Sequence, residues 1–189
     1  MMKKMLTAVL AVSAITASVH AASIVVYFSK TGEQYSVGTI TEGNTAKIAK
    51  LIAEQTGSDL FEIVPEKPYP EGYKATTEAA KKEQGAKARP AYKGDVADFD
   101  KYDTVYVGYP NWWGDLPMIV YTFLEGHSFA GKKIRPFCTH EGSGASGTKR
   151  SIESVCTGAD VSDVLAVRGS TAQNDKASSE KAVAAWLKK

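Results

Sequence analysis

The sequence carries little excess charge, and this scarcity argues against two kinds of partner. Its 189 residues include 23 Lys and Arg and 21 Asp and Glu. The first 21 residues contain two of the basic residues, Lys3 and Lys4, and no acidic one, so residues 22–189 hold 21 of each sign. A balanced chain gives no indication of binding to nucleic acid or to an anionic membrane surface.

Two common phosphate-binding motifs and a long hydrophobic run are also missing. No Gly-Lys-Ser/Thr closes a Walker P-loop, and the three-glycine dinucleotide fingerprint does not occur. Residues 5–19 are largely apolar but fall short of the about 20 residues that span a bilayer. We therefore expect neither a P-loop nucleotide site nor a membrane span.

The N-terminal segment instead has the pattern of a secretory signal. Lys3 and Lys4 precede the apolar stretch, and the small residues Val19 and Ala21 occupy the minus-three and minus-one positions of a cleavage site. No cysteine follows Ala21 and no Arg-Arg pair precedes the stretch, which disfavours a lipoprotein and a twin-arginine route. We predict a signal peptide at 1–21, one domain at 22–189 and export to the periplasm.

The chain has only two cysteines, Cys138 and Cys156. An exported protein with two cysteines could form a disulfide. However, Cys138 falls near the end of a predicted strand and Cys156 near the end of the helix that follows it. A disulfide requires Cα atoms within about 7 Å, so we expect two free thiols.

Strand and helix patterns alternate along residues 22–189. Apolar, β-branched runs indicate buried strands, and the segments between them have helical periodicity. This alternation predicts an α/β fold with a parallel sheet covered on both faces. Pro136 is an awkward residue inside the fourth strand. The predicted strands are 23–28, 59–64, 104–109, 133–139 and 164–167, and the predicted helices are 44–55, 73–88, 117–124, 148–155 and 175–187.

The loop after the first strand has the composition of a phosphate site. Ser29, Thr31 and Gly32 follow the strand, and Asn44 and Thr45 begin the next helix. Hydroxyl donors and a helix N-terminus together favour a terminal phosphate. Alternatively, Asn44 and Thr45 only cap the helix.

The loop after the third strand carries two adjacent tryptophans, Trp112 and Trp113. Their side chains should point in different directions, so that one packs on the sheet while the other stacks on a planar ligand. Alternatively, both belong to the core. Asp115 is expected to cap the helix that begins near Pro117.

The loop after the fourth strand brings glycine close to the same edge of the sheet. Gly142 and Gly144 allow backbone N–H groups to approach a flat heterocycle. His140 could change charge beside such a ligand, or could be a solvated loop residue. His127 is expected to end a helix without a role in the site.

Taken together, the three loops resemble those of the flavodoxin-like FMN-binding proteins, in order and in spacing. The segment 109–117 is the most specific match and is similar to a bacterial subgroup with Trp-Trp-Gly. The resemblance implies a three-layer α/β/α sandwich with strand order 2-1-3-4-5, FMN as cofactor and no metal. It implies these FMN-binding residues: Ser29, Thr31, Gly32, Asn44, Thr45, Pro110, Asn111, Trp112, Trp113, Gly114, Thr139, His140, Gly142, Ser143 and Gly144.

Two departures from the family pattern keep several functions open. Residues 33–43 are an insertion in the phosphate loop, and Tyr35 within it could lean over the flavin or be exposed. Carrier flavodoxins are acidic, whereas this chain is balanced. We expect electron transfer through FMN to a redox partner protein or a small acceptor, with no catalytic residue assigned. The alternatives are an NAD(P)H-dependent quinone or nitro reductase and a non-redox module that has lost its flavin.

Overall fold

The structure, a computed structural model, describes residues 22–189; the predicted signal peptide lies outside these residues. All five predicted strands join one sheet, whose spatial order is β4-β1-β7-β8-β10 in the numbering given below. Every neighbouring pair along this path is parallel. In terms of the five predicted strands the order is 2-1-3-4-5, which confirms the expected α/β sandwich.

The described residues form the following elements. The strands are β1 Ala22–Tyr27, β2 Gly32–Gln34, β3 Gly38–Ile40, β4 Asp59–Glu62, β5 Val64–Pro65, β6 Tyr92–Lys93, β7 Tyr102–Pro110, β8 Lys133–His140, β9 Asp160–Val161 and β10 Leu165–Arg168. The helices are α1 Asn44–Thr56, α2 Tyr73–Gly85, α3 Met118–Gly126, α4 Thr148–Val155, α5 Gly169–Asn174 and α6 Lys176–Leu187, with a 3₁₀ turn at Phe99–Lys101. Within residues 22–189, no helix combines the length and the apolar character needed to cross a membrane.

The central strands are apolar because both faces of the sheet are covered. Ile24 and Val26 of β1 face a cluster that includes Phe123 of α3. Val25, between them, faces the opposite cluster with Ile48 of α1. Helices therefore pack on both faces of the sheet, and the connecting loops lie at the ends of the strands.

The structure differs from the sequence-based prediction at the short elements. The second predicted strand ends at Glu62, and after Ile63 the residues Val64 and Pro65 pair as β5 with β6. The insertion at 33–43 contains an antiparallel hairpin, β2-β3. Helix α5 was not predicted. These elements are too short to show a periodic pattern, and contacts with distant residues stabilise them.

Pro136 is tolerated in β8 because of the strand beside it. The amide of Ser162, just after β9, donates to the carbonyl of Ile134, and pairing with β10 begins only at Phe137. Backbone groups of every second residue along a strand point to the same neighbouring strand, so those of Pro136 point, like those of Ile134, away from β7. The N–H that proline lacks would therefore point into the gap between β9 and β10. The proline therefore breaks no ladder bond with β7.

Cys138 and Cys156 are free thiols. Both are buried in the apolar cluster on one face of the sheet. Burial raises the pKa of each thiol to about 12. Both cysteines therefore act as small apolar core residues rather than as nucleophiles.

Lys132 connects the turn before β8 to the start of β7. Its side chain is buried, and Nζ donates to the carbonyls of Tyr102 (2.7 Å), Asp100 (3.2 Å) and Phe99 (3.4 Å). A buried ammonium stabilises the fold only when its donors are satisfied, and here backbone carbonyls satisfy them.

We expect Lys132→Met to lower the free energy of unfolding by about 1–3 kcal/mol, because it leaves these carbonyls without their donor. Lys133→Met is the matched control, since Lys133 is exposed and surface changes usually fall within about 0.5 kcal/mol. Urea unfolding measures both. Equal effects of the two substitutions would contradict the buried role of Lys132.

Candidate functional site

A cleft of about 510 Å³ lies at the edge where β1, β7 and β8 end. The three loops predicted to meet there all contribute to it, which agrees with the placement of ligands at the carboxyl ends of parallel strands. The hairpin β2-β3 and one face of α2 form the remaining wall. The lining residues are Lys30, Glu33, Gln34, Tyr35, Asn44, Tyr73, Thr76, Thr77, Ala80, Pro110, Asn111, Trp112, Trp113, Thr139, His140, Glu141 and Ser143.

Helix α1 begins at the cleft without a side-chain cap. Its first-turn N–H groups, those of Asn44 and Thr45, have no partner within the helix. The Ser29 hydroxyl accepts from the amide of Ala46 at 3.0 Å, which leaves its own proton free to donate. Backbone donors, a hydroxyl and the positive end of the helix dipole form an anion-binding cradle.

Gly43, the N-cap residue, allows the cradle to close. A Cβ at this position would collide with Ser29 Oγ and lie 2.7 Å from the Lys30 carbonyl oxygen. Only glycine permits the two segments of the loop to approach so closely. The sequence predicted Asn44 and Thr45 at this helix start, but the need for glycine at position 43 appears only in the packing.

The side chains of Asn44 and Thr45 do not cap α1, so the capping alternative is wrong. Asn44 Oδ1 accepts from Gln173 Nε2 at 2.9 Å. Thr45 Oγ1 and Thr139 Oγ1 lie 2.8 Å apart, and both side chains are buried. This hydroxyl pair ties the first loop to the third, so Thr45 and Thr139 hold the cleft together from beneath.

Thr31 and Gly32 do not line the cleft. Gly32 begins the hairpin and approaches the carbonyl oxygen of Glu71, and Thr31 is exposed. The insertion after them directs this segment toward α2. Lys30 takes their place at the cleft, where its Nζ donates to the carbonyls of Thr31 (2.7 Å) and Glu71 (3.2 Å).

The two tryptophans separate as predicted. Trp112 packs edge-on against Phe28 and Tyr69, with ring centroids 5.4 and 5.1 Å away. Trp113 is 52% exposed at the cleft, and its Nε1 donates to the carbonyl of Thr77 on α2. The alternative that both rings belong to the core is therefore wrong.

A tight turn produces this separation. The amides and carbonyls of Trp112 and Asp115 bond to each other, at 3.0 and 3.1 Å. The two residues between them, Trp113 and Gly114, have φ of +55° and +81°, as in a type I′ turn. Positive φ is unfavourable for a bulky residue. In this turn the positive φ of Trp113 directs its ring out of the loop.

Asp115 does not cap α3, contrary to the prediction. The N-cap residue of α3 is Pro117, which has no side-chain cap bond. Asp115 instead accepts from its neighbour's amide, Leu116 N, and from the Tyr121 hydroxyl. Its carboxylate therefore anchors the second loop to α3.

Asn111 joins the second loop to the third. Its Nδ2 donates to the carbonyl of Gly144 at 2.8 Å and to Ser146 Oγ at 3.0 Å, while its Oδ1 accepts from Gly114 N at 3.0 Å. One amide side chain therefore fixes both loops at the rim of the cleft.

His140 organises the third loop rather than being solvated. Its Nδ1 accepts from the amides of Gly142 (3.0 Å) and Gly144 (3.1 Å). His127, as expected, lies outside the cleft: it follows α3, stacks on Phe123 and bonds to Asp95.

The wall opposite the loops was predicted only in part: Tyr35 was expected either to lean over the flavin or to be exposed, and Tyr73 had no predicted role. Tyr35 from the hairpin and Tyr73 from α2 pack with ring centroids 5.7 Å apart, and both are exposed at the cleft. With Trp113 they place three exposed aromatic rings along one cleft. The site therefore combines an anion-binding cradle with aromatic surfaces suited to a planar ligand.

We expect Gly43→Ala to destabilise the protein by about 1–3 kcal/mol, as overpacking does, because the added methyl must displace Ser29 or the chain at Lys30. Gly85→Ala is the matched control, since a Cβ there meets nothing within 4 Å. Chemical denaturation compares the two. A Gly43→Ala protein as stable as the control would show that the cradle is looser than described.

The comparisons with known proteins agree with this geometry. A family model described as flavodoxin matches residues 22–189. A search of curated proteins finds no significant match. Among solved structures, a provisionally named flavoprotein from Bacteroides eggerthii is 30% identical, with a TM-score of 0.69 over 89% of this chain and 97% of that one. A similar protein from Bacteroides uniformis is 29% identical, with a TM-score of 0.71 over 89% and 99%.

A third structure is that of a flavoprotein from Lactobacillus acidophilus in complex with FMN. It is 24% identical, with a TM-score of 0.61 over 84% of this chain and 99% of that one, and this likeness supports the fold alone. Because the family model matches the whole described region, the chain belongs to the flavodoxin family.

Proposed function

We propose that this protein binds FMN in the cleft and acts as an electron-transfer protein. The observation that carries the proposal is the convergence of an anion-binding cradle and exposed aromatic rings in one cleft of about 510 Å³. Membership of the flavodoxin family supports FMN as the ligand. The Lactobacillus acidophilus structure shows that a protein with this fold holds FMN.

The residues present fit the phosphate of FMN. The N–H groups of Asn44 and Thr45 and the Ser29 hydroxyl are donors for phosphate oxygens. Lys30 adds a positive charge at the cleft; burial lowers its pKa, and the nearby Glu71 and Glu33 oppose this effect. Thr31 and Gly32, which the resemblance included, are not assigned to the phosphate because the hairpin takes them away.

The other end of the cleft fits the flavin ring. Trp113 offers an exposed ring at the cleft. The amides of Trp112 and Gly114 are bonded within the second loop. Those of Gly142 and Gly144 donate to His140 Nδ1, so these glycines shape the third loop rather than donate to the flavin ring. Trp112 supports the loop from the core side. We assign stacking to Trp113, and we place this site with the Trp-Trp-Gly group of flavodoxin-like proteins.

FMN, when bound, supplies the electron chemistry. The cradle residues Ser29, Asn44 and Thr45 would hold its phosphate, and Trp113 would orient its ring. The balanced charge of residues 22–189 does not support docking by acidic attraction to a basic protein. The electron partner is then either a protein recognised by other contacts or a small acceptor.

Titration of the purified protein with FMN tests the proposal. We expect quenching of FMN fluorescence at micromolar concentration, and Trp113→Ala should weaken binding by about tenfold, since it removes a stacked ring and its buried area. Absence of any quenching would overturn the proposal and favour a module that has lost its flavin.

Trp186→Ala provides a crossed control. Trp186 is buried under the other face of the sheet, and its loss should cost about 3–5 kcal/mol of stability without changing FMN affinity. Trp113 is half exposed, so its variant should show the reverse pattern. If both variants lower affinity equally, the stacking assignment is wrong.

We also propose that the protein is exported and that residues 1–21 are removed. The flavodoxin match begins at residue 22, directly after the proposed cleavage site. N-terminal sequencing of protein from the periplasmic fraction should therefore find Ala22 first. Ala21→Asp should leave the precursor uncleaved, because the minus-one position requires a small residue; processing elsewhere would contradict the assignment.

A further inference from the structure

The third loop of the cleft is built around one imidazole nitrogen. Gly142 and Gly144 have φ of +111° and +61°, values that glycine adopts without strain. This backbone path turns both amides toward His140 Nδ1, at 3.0 and 3.1 Å. The imidazole is therefore the acceptor that organises the loop.

This arrangement requires His140 to be neutral. Nδ1 can accept from the two amides only through its ring lone pair, so the ring proton must lie on Nε2. A proton on Nδ1 would replace the acceptor with a donor that faces two other donors. Both hydrogen bonds would then be lost together.

The loop connects to the rest of the cleft through Gly144. Its carbonyl accepts from Asn111 Nδ2 at 2.8 Å, and Asn111 in turn accepts from Gly114 N. Release of the Gly144 amide therefore loosens the contact that aligns the second loop, which carries Trp113.

We propose that neutral His140 is a positioning residue for the flavin loops, and that its protonation releases the third loop and weakens flavin binding. The proposal rests on the function proposed above, since it concerns the same site.

The charged groups around His140 act on it in opposite directions. Arg168 is its register partner on β10, and Glu141 follows it in the chain. The Glu141 carboxylate is engaged by the amide of Ser170 and lies 3.8 Å from Arg168. Lys30 and Glu33 line the same cleft from the hairpin side.

The pKa of His140 is lowered, chiefly by burial and then by Arg168, while Glu141 opposes the shift. The two hydrogen bonds to His140 Nδ1 are therefore present at pH values above this lowered pKa, and they are lost as the pH falls through the pKa. Apparent affinity should then fall by about tenfold for each pH unit below the pKa, as the competent fraction does.

Two amide substitutions at position 140 test whether the third loop needs an acceptor at the exact place of Nδ1 or only a polar side chain of similar size. In Asn, the carbonyl oxygen lies two bonds beyond Cβ, as Nδ1 does in His, and it accepts hydrogen bonds without titrating near neutral pH. In Gln, the same group lies one bond further out. We therefore compare the FMN affinity of wild type, His140→Asn and His140→Gln between about pH 8 and pH 5.

We expect His140→Asn to bind FMN near the wild-type affinity at the high end. Below the His140 pKa, its advantage over wild type should grow by about tenfold for each further pH unit. His140→Gln should bind weakly throughout. The second ionisation of the FMN phosphate, near pH 6, affects every variant equally and cancels in the comparison. A wild-type profile parallel to that of His140→Asn would overturn the proposal.

A measurement without flavin completes the test and does not depend on the variants folding. Nitrogen NMR of His140 in the flavin-free wild-type protein should show an unprotonated Nδ1 at neutral pH. The protection of the Gly142 and Gly144 amides, measured relative to the intrinsic exchange rate at each pH, should fall as the ring becomes protonated. An Nδ1–H tautomer, or amides insensitive to that titration, would overturn the proposal. Failure of all proteins to bind FMN would instead reject the proposed function.

Discussion

The cleft depends on hydrogen bonds that tie three separate loops together at one edge of a parallel sheet. The strand order brings the ends of β1, β7 and β8 side by side, but adjacency alone does not shape a site. The buried hydroxyl pair of Thr45 and Thr139 joins the first loop to the third, and Asn111 joins the second to the third. Because the threonine pair is removed from water, leaving one hydroxyl unpaired would be costly. The loops therefore hold one arrangement.

Within this frame, neighbouring residues have different physical roles. Trp112 gains stability by packing between Phe28 and Tyr69, whereas Trp113 stays exposed on a backbone conformation that bulky residues avoid. Unfavourable backbone geometry is retained where function needs it. Thr139 and His140 both line the cleft, but Thr139 is buried and pairs with Thr45, whereas His140 is partly buried and organises the third loop.

The sequence allowed much of this site to be predicted, because strands and loops carry local signals. Runs such as Ile24–Val26 are buried whatever their partners, and glycine with hydroxyl residues after a strand indicates a ligand loop. The opposite wall was predicted only in part. Tyr35 lies in an insertion and Tyr73 in a helix rich in Ala, Lys and Glu, and neither segment shows locally which face it turns to the cleft.

The amino-acid sequence by itself therefore determined the α/β class, the three loops that form the site and the family, since these depend on periodicity and on short motifs. Tertiary structure alone decided which residues enter the cleft. It removed Thr31 and Gly32, engaged the side chains of Asn44 and Asp115 with partners other than a helix cap, and made His140 the centre of a loop. These outcomes depend on contacts between residues far apart in sequence. Such residues come within hydrogen-bonding distance only in the folded chain, so no local pattern can indicate them.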